Sequence, residues 1–344
     1  MTNPILVEVL RGALVESRHR GTIAVVDAAG KRRFTIGDVG RAVFPRSSVK
    51  LIQALPLVES GAADAYGFGA AELALACASH SGEPRHLAIV SAMLQACGRG
   101  ATDLQCGPQT PFSTAAARDL IRAGEPASAL HNTCSGKHAG FICLACHHGV
   151  DPTGYVGLDH PVQQEVRSVL EELTGTPLAA DVCATDGCSI PTYAIPLDRL
   201  AAAFATLATG AGLSAQRATA ARRLFDACMA EPTLVAGTGR FCTDAMLAVP
   251  GRLLVKTGAE GVYCGAIPEL GLGIALKCED GATRAAETMM AAVVQAILPM
   301  SAAERDLFAA RLRPAIHSRV GKKVGEIRPV TGLIESIREG RPTI

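Results

Sequence analysis

Pro45-Arg46-Ser47-Ser48-Val49-Lys50 runs directly into the helix-like segment Leu51-Ile52-Gln53-Ala54-Leu55. Ser47 and Lys50 are three residues apart, so on a helix the lysine amine lies one turn from the serine hydroxyl. Ser48 has Leu51 at the same spacing and lacks such a partner. A serine hydroxyl becomes nucleophilic when a base takes its proton, and lysine is that base only if its pKa falls from about 10.4 toward ~7–8. The alternative is a serine-capped helix start with a solvated lysine.

A second motif, Lys256-Thr257-Gly258, ends the strand-like segment Leu253-Leu254-Val255. An early Ser-x-x-Lys and a late Lys-Thr-Gly on a strand form the signature of serine β-lactamases and penicillin-binding proteins. In that arrangement Lys256 supplies the positive charge that keeps Lys50 neutral, and Gly258 lets a substrate backbone lie close to the strand. No Ser-Asp-Asn occurs between the motifs, so this is not an ordinary β-lactamase. The alternative is a lysine that simply precedes a turn.

The order of predicted elements indicates the architecture, because strand patterns occupy both chain ends and helical patterns lie between them. The predicted strands are 5–10, 22–27, 31–36, 253–256, 261–264, 273–277 and 324–330, and the predicted helices are 70–78, 86–97, 114–123, 137–147, 159–175, 214–229 and 282–298. We expect an α/β (α+β) fold with one sheet built from both termini. Residues 1–50 and 235–344 form the sheet-containing domain, residues 51–234 form an inserted helical domain, and the active site lies at their seam.

Cysteines and a lysine suggest a metal site. Cys134 and Lys137 are another pair with a spacing of three at a predicted helix start, and Cys188 closes the segment that begins at Cys183. Thiolates are good zinc ligands, and a neutral lysine amine can complete a site because binding the cation expels the proton. The alternative is that these are buried cysteines acting as small hydrophobic residues.

A separate cysteine motif, Cys143-Leu144-Ala145-Cys146-His147, matches the pattern for covalent haem attachment. Haem attachment requires export, and the charged residues of the first 21 positions predict no signal peptide. No strand–helix–strand pattern surrounds the pair, so a thioredoxin-like function is not indicated either.

Composition excludes several classes of function. The net charge is only +1, and the aromatic residues are four Tyr and nine Phe with no Trp, so neither nucleic acid nor an anionic membrane is an expected partner. The longest apolar stretch, 200–213, is too short to span a bilayer. We expect a cytoplasmic protein with reduced thiols. Only seven of the 33 Lys and Arg residues are lysines, which draws attention to Lys50, Lys137 and Lys256.

Five motifs in order, PRSSVK, ASHSGE, NTCSGKH, the DGC of ATDGCSIPT and KTGAEG, are similar to those of a known family. The chain resembles the rhizobial-type (class 3) bacterial L-asparaginases, also called the asparaginase II family, over nearly its whole length. The resemblance implies a serine β-lactamase/penicillin-binding-protein-like fold with an antiparallel sheet. It also implies a homodimer that hydrolyses the small molecule L-asparagine to L-aspartate and ammonia.

The resemblance assigns roles to individual residues. It implies two Ser–Lys tandems, Ser47–Lys50 and Ser79–Lys256. It implies a zinc site beside the cleft, with Cys134, Lys137 and Cys188 as ligands, in which Zn²⁺ is not the primary electrophile. It also implies that the substrate region is lined by Arg46, His138 and Asp186. Two alternatives stay open. One is a glutaminase or other serine amidase on the same scaffold, and the other is a non-catalytic zinc-thiolate binding or sensing protein.

Overall fold

The computed structural model describes residues 2–342 of the 344-residue chain. Its strands are β1 Ile5–Arg11, β2 Leu14–Asp27, β3 Arg32–Ile36, β4 Ala42–Val43, β5 Cys183–Thr185, β6 Pro191–Tyr193, β7 Ile195–Pro196, β8 Leu254–Gly258, β9 Val262–Ile267, β10 Leu272–Cys278, β11 Ala315–His317 and β12 Lys323–Pro329. Its helices are α1 Lys50–Gln53, α2 Leu55–Glu59, α3 Ala62–Ala65, α4 Ala70–Ala76, α5 Pro84–Ala96, α6 Thr114–Ala123, α7 Ser135–His147, α8 Pro161–Thr174, α9 Leu197–Thr209, α10 Ala215–Ala230, α11 Pro232–Val235, α12 Phe241–Ala248, α13 Thr283–Ile297, α14 Ala302–Leu312 and α15 Leu333–Glu339.

One antiparallel sheet combines strands from both chain ends. Within the described residues it has eight strands in the order β11-β12-β1-β2-β10-β9-β8, with β3 also paired to β2. The N-terminal strand β2 lies beside the C-terminal strand β10, with Gly21 opposite Cys278 at one end and Asp27 opposite Leu272 at the other. The predicted α/β fold with a sheet built from both termini is therefore confirmed.

Helices cover both faces of this sheet. A Cβ on Gly273 would lie 1.9 Å from the Ala201 carbonyl oxygen of α9. A Cβ on Gly21 would lie 2.8 Å from the Met289 side chain of α13. Gly21 lies opposite Cys278 and therefore on the same face of the sheet. Cys278 is five residues from Gly273 on β10, and because side chains alternate along a strand, an odd separation puts these two positions on opposite faces. The two helices therefore pack on opposite faces, as the prediction of a helix-flanked sheet requires.

The chain divides into two units. The sheet unit contains the residues up to Ser48, Ile195–Ala211 and the chain from Ala245, and the helical unit contains Val49–Ala194 and Gly212–Asp244. The predicted boundaries differ from this division mainly at 195–211, because α9 packs against the sheet through Gly273. None of the helices in residues 2–342 has the length and apolar character needed to cross a membrane.

The structure corrects one predicted helix end. The sequence predicts a helix over 159–175, but α8 starts at Pro161, and the His160 ring at its N-cap accepts a hydrogen bond from the Val162 amide. Gly175 ends the helix in the left-handed conformation, as the sequence predicts. The other predicted helices between residues 70 and 230 are confirmed, with ends that move by no more than two residues.

Candidate active site

The two neighbouring serines of the first motif have different environments in the sheet unit. Residues 46–49 form a 3₁₀ turn that precedes α1. Ser48 is fully buried, and its hydroxyl donates to the Pro45 carbonyl at 2.7 Å and accepts from the Cys264 thiol at 3.3 Å. Ser47 is half-buried, and its hydroxyl has no hydrogen bond to any residue among positions 2–342. Ser48 therefore has a structural role, whereas the Ser47 hydroxyl is available for another partner.

Strand β8 lies against this turn because of a glycine. A Cβ on Gly258 would lie 2.4 Å from the Pro45 carbonyl oxygen, so only glycine allows the approach. The Pro45 carbonyl of the chain itself is thus one reason for glycine at position 258, and the approach of a substrate backbone to this strand stays a prediction. Lys256 is on the same strand with 3% of its surface exposed, and its amine donates to the Thr257 carbonyl at 2.9 Å.

Arg46 begins the 3₁₀ turn in a strained conformation. Its φ of 53° lies in the left-handed region, which is costly for a residue other than glycine. The residue lines a cavity of about 350 Å³ in the sheet unit together with Arg41, Lys277 and Glu260. A strained backbone conformation persists only where the surrounding structure stabilises it, and such conformations are common at ligand sites.

Lys50 is the centre of a polar cluster in the helical unit. The side chain is fully buried, and its amine donates to the Ala78 carbonyl at 2.5 Å, the Ser79 hydroxyl at 3.1 Å and the Cys134 sulfur at 3.2 Å. Ser79 follows α4, and Cys134 is the residue before α7, so two chain segments meet at this amine. The sequence did not predict the Lys50–Ser79 hydrogen bond. The pairings Ser47–Lys50 and Ser79–Lys256 stay predictions.

The three residues named as zinc ligands come together beside Lys50. The Lys137 amine donates to the Cys188 sulfur at 3.1 Å, and the two thiols of Cys134 and Cys188 are hydrogen-bonded to each other. All three side chains are buried. Asp186 is half-buried, and its carboxylate accepts a hydrogen bond from the Cys188 amide at 3.1 Å, which fixes the turn that carries the cysteine.

Electrostatics in this group favour a thiolate next to an ammonium. The hydrogen bond from Cys188 and the charges of Lys50 and Lys137 hold the pKa of Cys134 well below its ordinary value, against the effect of burial. The hydrogen bond to Cys134 and burial raise the pKa of Cys188. Burial alone would lower the pKa of Lys137, but Cys188, Cys134 and Asp186 raise it. Two sulfurs and an amine that a cation would deprotonate are a donor set that fits zinc.

His138 is held in one orientation by Tyr155. The Tyr155 hydroxyl accepts a hydrogen bond from the Gln105 amide and lies 2.6 Å from the His138 Nδ1. The Nε2 atom of the ring is buried and has no hydrogen-bond partner within residues 2–342. Burial, with the charges of Lys137 and Lys50, lowers the pKa of His138 well below its ordinary value. The ring therefore presents a buried nitrogen without a hydrogen-bond partner among the described residues.

A different metal-capable cluster lies in the sheet unit and was not predicted. One donor atom each from His19, Cys278 and Asp280 lies within 4.8 Å of the other two. The His19 Nδ1 is 2.6 Å from the Asp280 carboxylate, and the Cys278 thiol donates to the same carboxylate at 3.0 Å. His19 is far from Cys278 and Asp280 in the sequence and meets them because β2 pairs with β10. The structure thus contains a His/Cys/Asp group that could hold a metal.

Comparison with known proteins gives one family match. The family model for L-asparaginase II matches residues 7–329. No curated protein matches the chain.

Three of the solved structures that match this chain are distant from it in sequence. A D-alanine carboxypeptidase from Burkholderia cenocepacia is 14% identical with a TM-score of 0.36, and 85% of this chain and 92% of that chain are covered. A class C β-lactamase from Rhodobacter sphaeroides is 13% identical with a TM-score of 0.38, covering 85% and 93%. A simvastatin synthase mutant from Aspergillus terreus is 9% identical with a TM-score of 0.29, covering 75% and 86%.

Proposed function

This chain belongs to the L-asparaginase II family, and from that premise we propose that it hydrolyses L-asparagine to L-aspartate and ammonia through an acyl-enzyme on Ser47. Membership of the family makes the protein a hydrolase that acts on amides. The finer assignments, which are the substrate, the nucleophile and the metal, rest on the side-chain environments described above.

The proposed reaction has two halves. Ser47 attacks the side-chain amide carbon while Lys50, in its neutral form, takes the hydroxyl proton, and Lys50 returns that proton to the leaving nitrogen so that ammonia departs. Water then cleaves the ester and releases aspartate. Ser79 accepts a hydrogen bond from the Lys50 amine, so this hydroxyl orients the base and can relay a proton. Lys256 supplies the positive charge of the second tandem.

The single observation that carries the proposal is the environment of Lys50. The amine is fully buried, it is hydrogen-bonded to a serine, and it belongs to the motif that begins at Pro45. The alternative stated above is a serine-capped helix start with a solvated lysine, and in that case the amine would be exposed to solvent. The contrast between the two serines supports Ser47 as the nucleophile, because Ser48 is fully committed to Pro45 and Cys264.

Three residues are proposed to contact asparagine, two of them at its charged ends. Arg46 suits the α-carboxylate through a forked contact, and Asp186 suits the α-ammonium. His138 has an unpartnered Nε2 that suits a polar group of the substrate. Glutamine is longer by one methylene, so the fit of chain length to these anchors decides between an asparaginase and a glutaminase.

We assign the zinc site to Cys134, Lys137 and Cys188, whose donors fit the metal. When bound, the ion supplies a fixed positive charge that positions substrate and depresses the pKa of nearby lysines. Lys137 has to lose its proton to become a ligand, so zinc uptake releases protons. The homodimer stays a prediction of the family resemblance, to be checked by light scattering.

Ser47→Ala and Ser48→Ala are a matched pair that tests the nucleophile. We expect Ser47→Ala to lower kcat by about a thousandfold or more, since the bond-forming atom is lost. Ser48→Ala should keep kcat within a fewfold and lower stability by about 1 kcal/mol through lost hydrogen bonds. The measurement is ammonia release from asparagine, glutamine and simple amides, alongside thermal unfolding. Full activity in Ser47→Ala would contradict the proposed nucleophile. Ammonia release from glutamine but not from asparagine would show that the protein is a glutaminase.

A further inference from the structure

The Cys-x-x-Cys motif on α7 has no role in the chemistry above, yet the structure gives it a third thiol. Cys97 is the residue after α5, and the Cys143 thiol donates to its sulfur over an Sγ–Sγ distance of 3.5 Å. Cys146, one turn further along α7, is also hydrogen-bonded to Cys97. Cys143 is fully buried, whereas Cys97 and Cys146 are half-buried. Three thiols from two helices therefore form one cluster that solvent reaches from one side.

We propose that this cluster is a thiol modification site, at which Cys97 is oxidised by a hydroperoxide and then forms a disulfide with Cys143. The proposal does not depend on the activity assigned above, since no residue of the cluster belongs to the candidate active site.

Cys97 has the features of the attacking sulfur. The hydrogen bond donated by Cys143, aided by Cys146 and by the charge of Arg99, lowers the pKa of Cys97 to about 7 against the effect of burial. The same hydrogen bond and burial raise the pKa of Cys143, so that residue stays a protonated donor. Thiolate character and exposure together determine which cysteines react with peroxides.

The chemistry balances with the peroxide as the only oxidant. The Cys97 thiolate attacks one peroxide oxygen, the S–O bond forms as the O–O bond breaks, and the departing oxygen takes a proton and leaves as water or an alcohol. The Cys143 sulfur then attacks the sulfenic sulfur of Cys97, the S–S bond forms, and the S–O bond breaks. The hydroxide that leaves takes the Cys143 proton and becomes water. Two thiols are oxidised, and the peroxide is reduced.

Geometry makes Cys143 the second partner. Its sulfur already points at Cys97 and has to move about 1.5 Å closer to reach a bonding distance of about 2.05 Å. Cys183 is a half-buried cysteine elsewhere in the helical unit whose sulfur lies near the Ala184 carbonyl, and it has no such thiol donor among the described residues. It is therefore the internal control for simple exposure.

The test treats the intact protein with hydrogen peroxide, blocks the remaining thiols, digests with trypsin without reductant and maps the peptides by mass spectrometry. Peptides 86–99 and 138–167 each end at tryptic sites, so a bond between them appears as one linked species. We expect that species to form at low peroxide, to disappear with dithiothreitol, and to fragment as a Cys97–Cys143 bond. Cys183 should stay a free thiol under the same treatment.

Variants separate the partners. The linked species should persist in Cys146→Ser and be lost in Cys97→Ser and Cys143→Ser. A linkage that survives Cys143→Ser but not Cys146→Ser would overturn the pairing, and an unmodified Cys97 at peroxide that oxidises Cys183 would overturn the site. Fragmentation of the wild-type species locates the bond without any variant, so a Cys143→Ser protein that fails to fold does not weaken the test.

Discussion

At the scale of single residues, His80 shows how burial fixes a protonation state. Its Nδ1 accepts from the Gly82 amide at 3.1 Å, so the proton is on Nε2, which donates to the Ser135 hydroxyl at 2.8 Å. Burial, with the charges of His86 and Lys50, lowers the pKa of His80 well below 6.5. The ring is therefore neutral in the folded protein.

His80 predicts a loss of stability in mild acid. Below the ordinary pKa of 6.5 the unfolded chain binds a proton that the folded chain refuses, so the free energy of unfolding decreases as pH falls toward the folded pKa. His80→Gln should reduce that slope, measured as the thermal midpoint between about pH 7 and 5. His317→Gln, at an exposed ring, is the control. An unchanged slope in His80→Gln would show that this ring is not the buried neutral group described.

Residue spacing predicted part of the candidate site. A separation of three pointed to Ser47 rather than Ser48, and to Cys134 with Lys137, because helical neighbours can be read from the chain. The Lys50–Ser79 hydrogen bond spans 29 positions and the His19–Asp280 contact spans 261. Such contacts depend on how elements pack, and no local pattern in the sequence encodes them.

At the scale of elements, α9 packs on the sheet through a site that only glycine fits. A Cβ on Gly273 would lie 1.9 Å from the Ala201 carbonyl oxygen and 2.5 Å from the Ala205 nitrogen. Both contacts are backbone atoms of one helix, so no side chain can move aside. The small residues of α9 thus let helix and strand approach closely.

Gly273→Ala should destabilise the protein by about 1–3 kcal/mol or more, since the extra methyl forces α9 off the sheet. The measurement is the free energy of unfolding in urea. Gly100→Ala is the matched control, because a Cβ there meets nothing within 4 Å and the backbone is extended. Equal stability of the two variants would contradict the close contact between α9 and β10.

Element prediction succeeded where the apolar pattern is regular and failed where the pattern is weak. Strands β2 and β3 account for the predicted strands at 22–27 and 31–36, and α6 matches its predicted bounds. Helix α14 was not predicted, although Ser301 and Glu304 form a capping box at its start. Its only buried side chain is Phe308, so it lacks the apolar stripe that marks an amphipathic helix.

At the scale of the whole molecule, two donor sets could hold a metal. One is Cys134, Lys137 and Cys188, and the other is His19, Cys278 and Asp280. The first has two buried sulfurs and an amine, whereas Asp280 in the second is exposed. Buried thiolates bind zinc more tightly than a partly solvated carboxylate does.

We therefore expect zinc content measured by plasma mass spectrometry to be about one ion per chain, located at the thiolate set. Cys188→Ser should lose that zinc, whereas Cys278→Ser should retain it. Zinc affinity should fall in acid, because Lys137 and the thiols must give up protons. Loss of zinc from Cys278→Ser with retention in Cys188→Ser would move the site to the sheet unit.

The order of elements along the chain predicted the sheet shared by both termini, because strand patterns at the two ends have no other partners. It did not predict that 195–211 joins the sheet unit. That helix looks like its neighbours in composition, and only Gly273 on a distant strand marks where it packs.

The covalent intermediate on Ser47 is the most direct test of the proposed chemistry. The reaction of the enzyme with asparagine is quenched in acid during turnover, and the protein is then digested. The peptide 47–50 is sequenced by mass spectrometry. We predict an added mass equal to asparagine less ammonia, located on Ser47 and absent from Ser47→Ala. The same adduct on Ser79 or Ser48, or steady turnover with no adduct at low pH on any serine, would contradict Ser47 as the nucleophile.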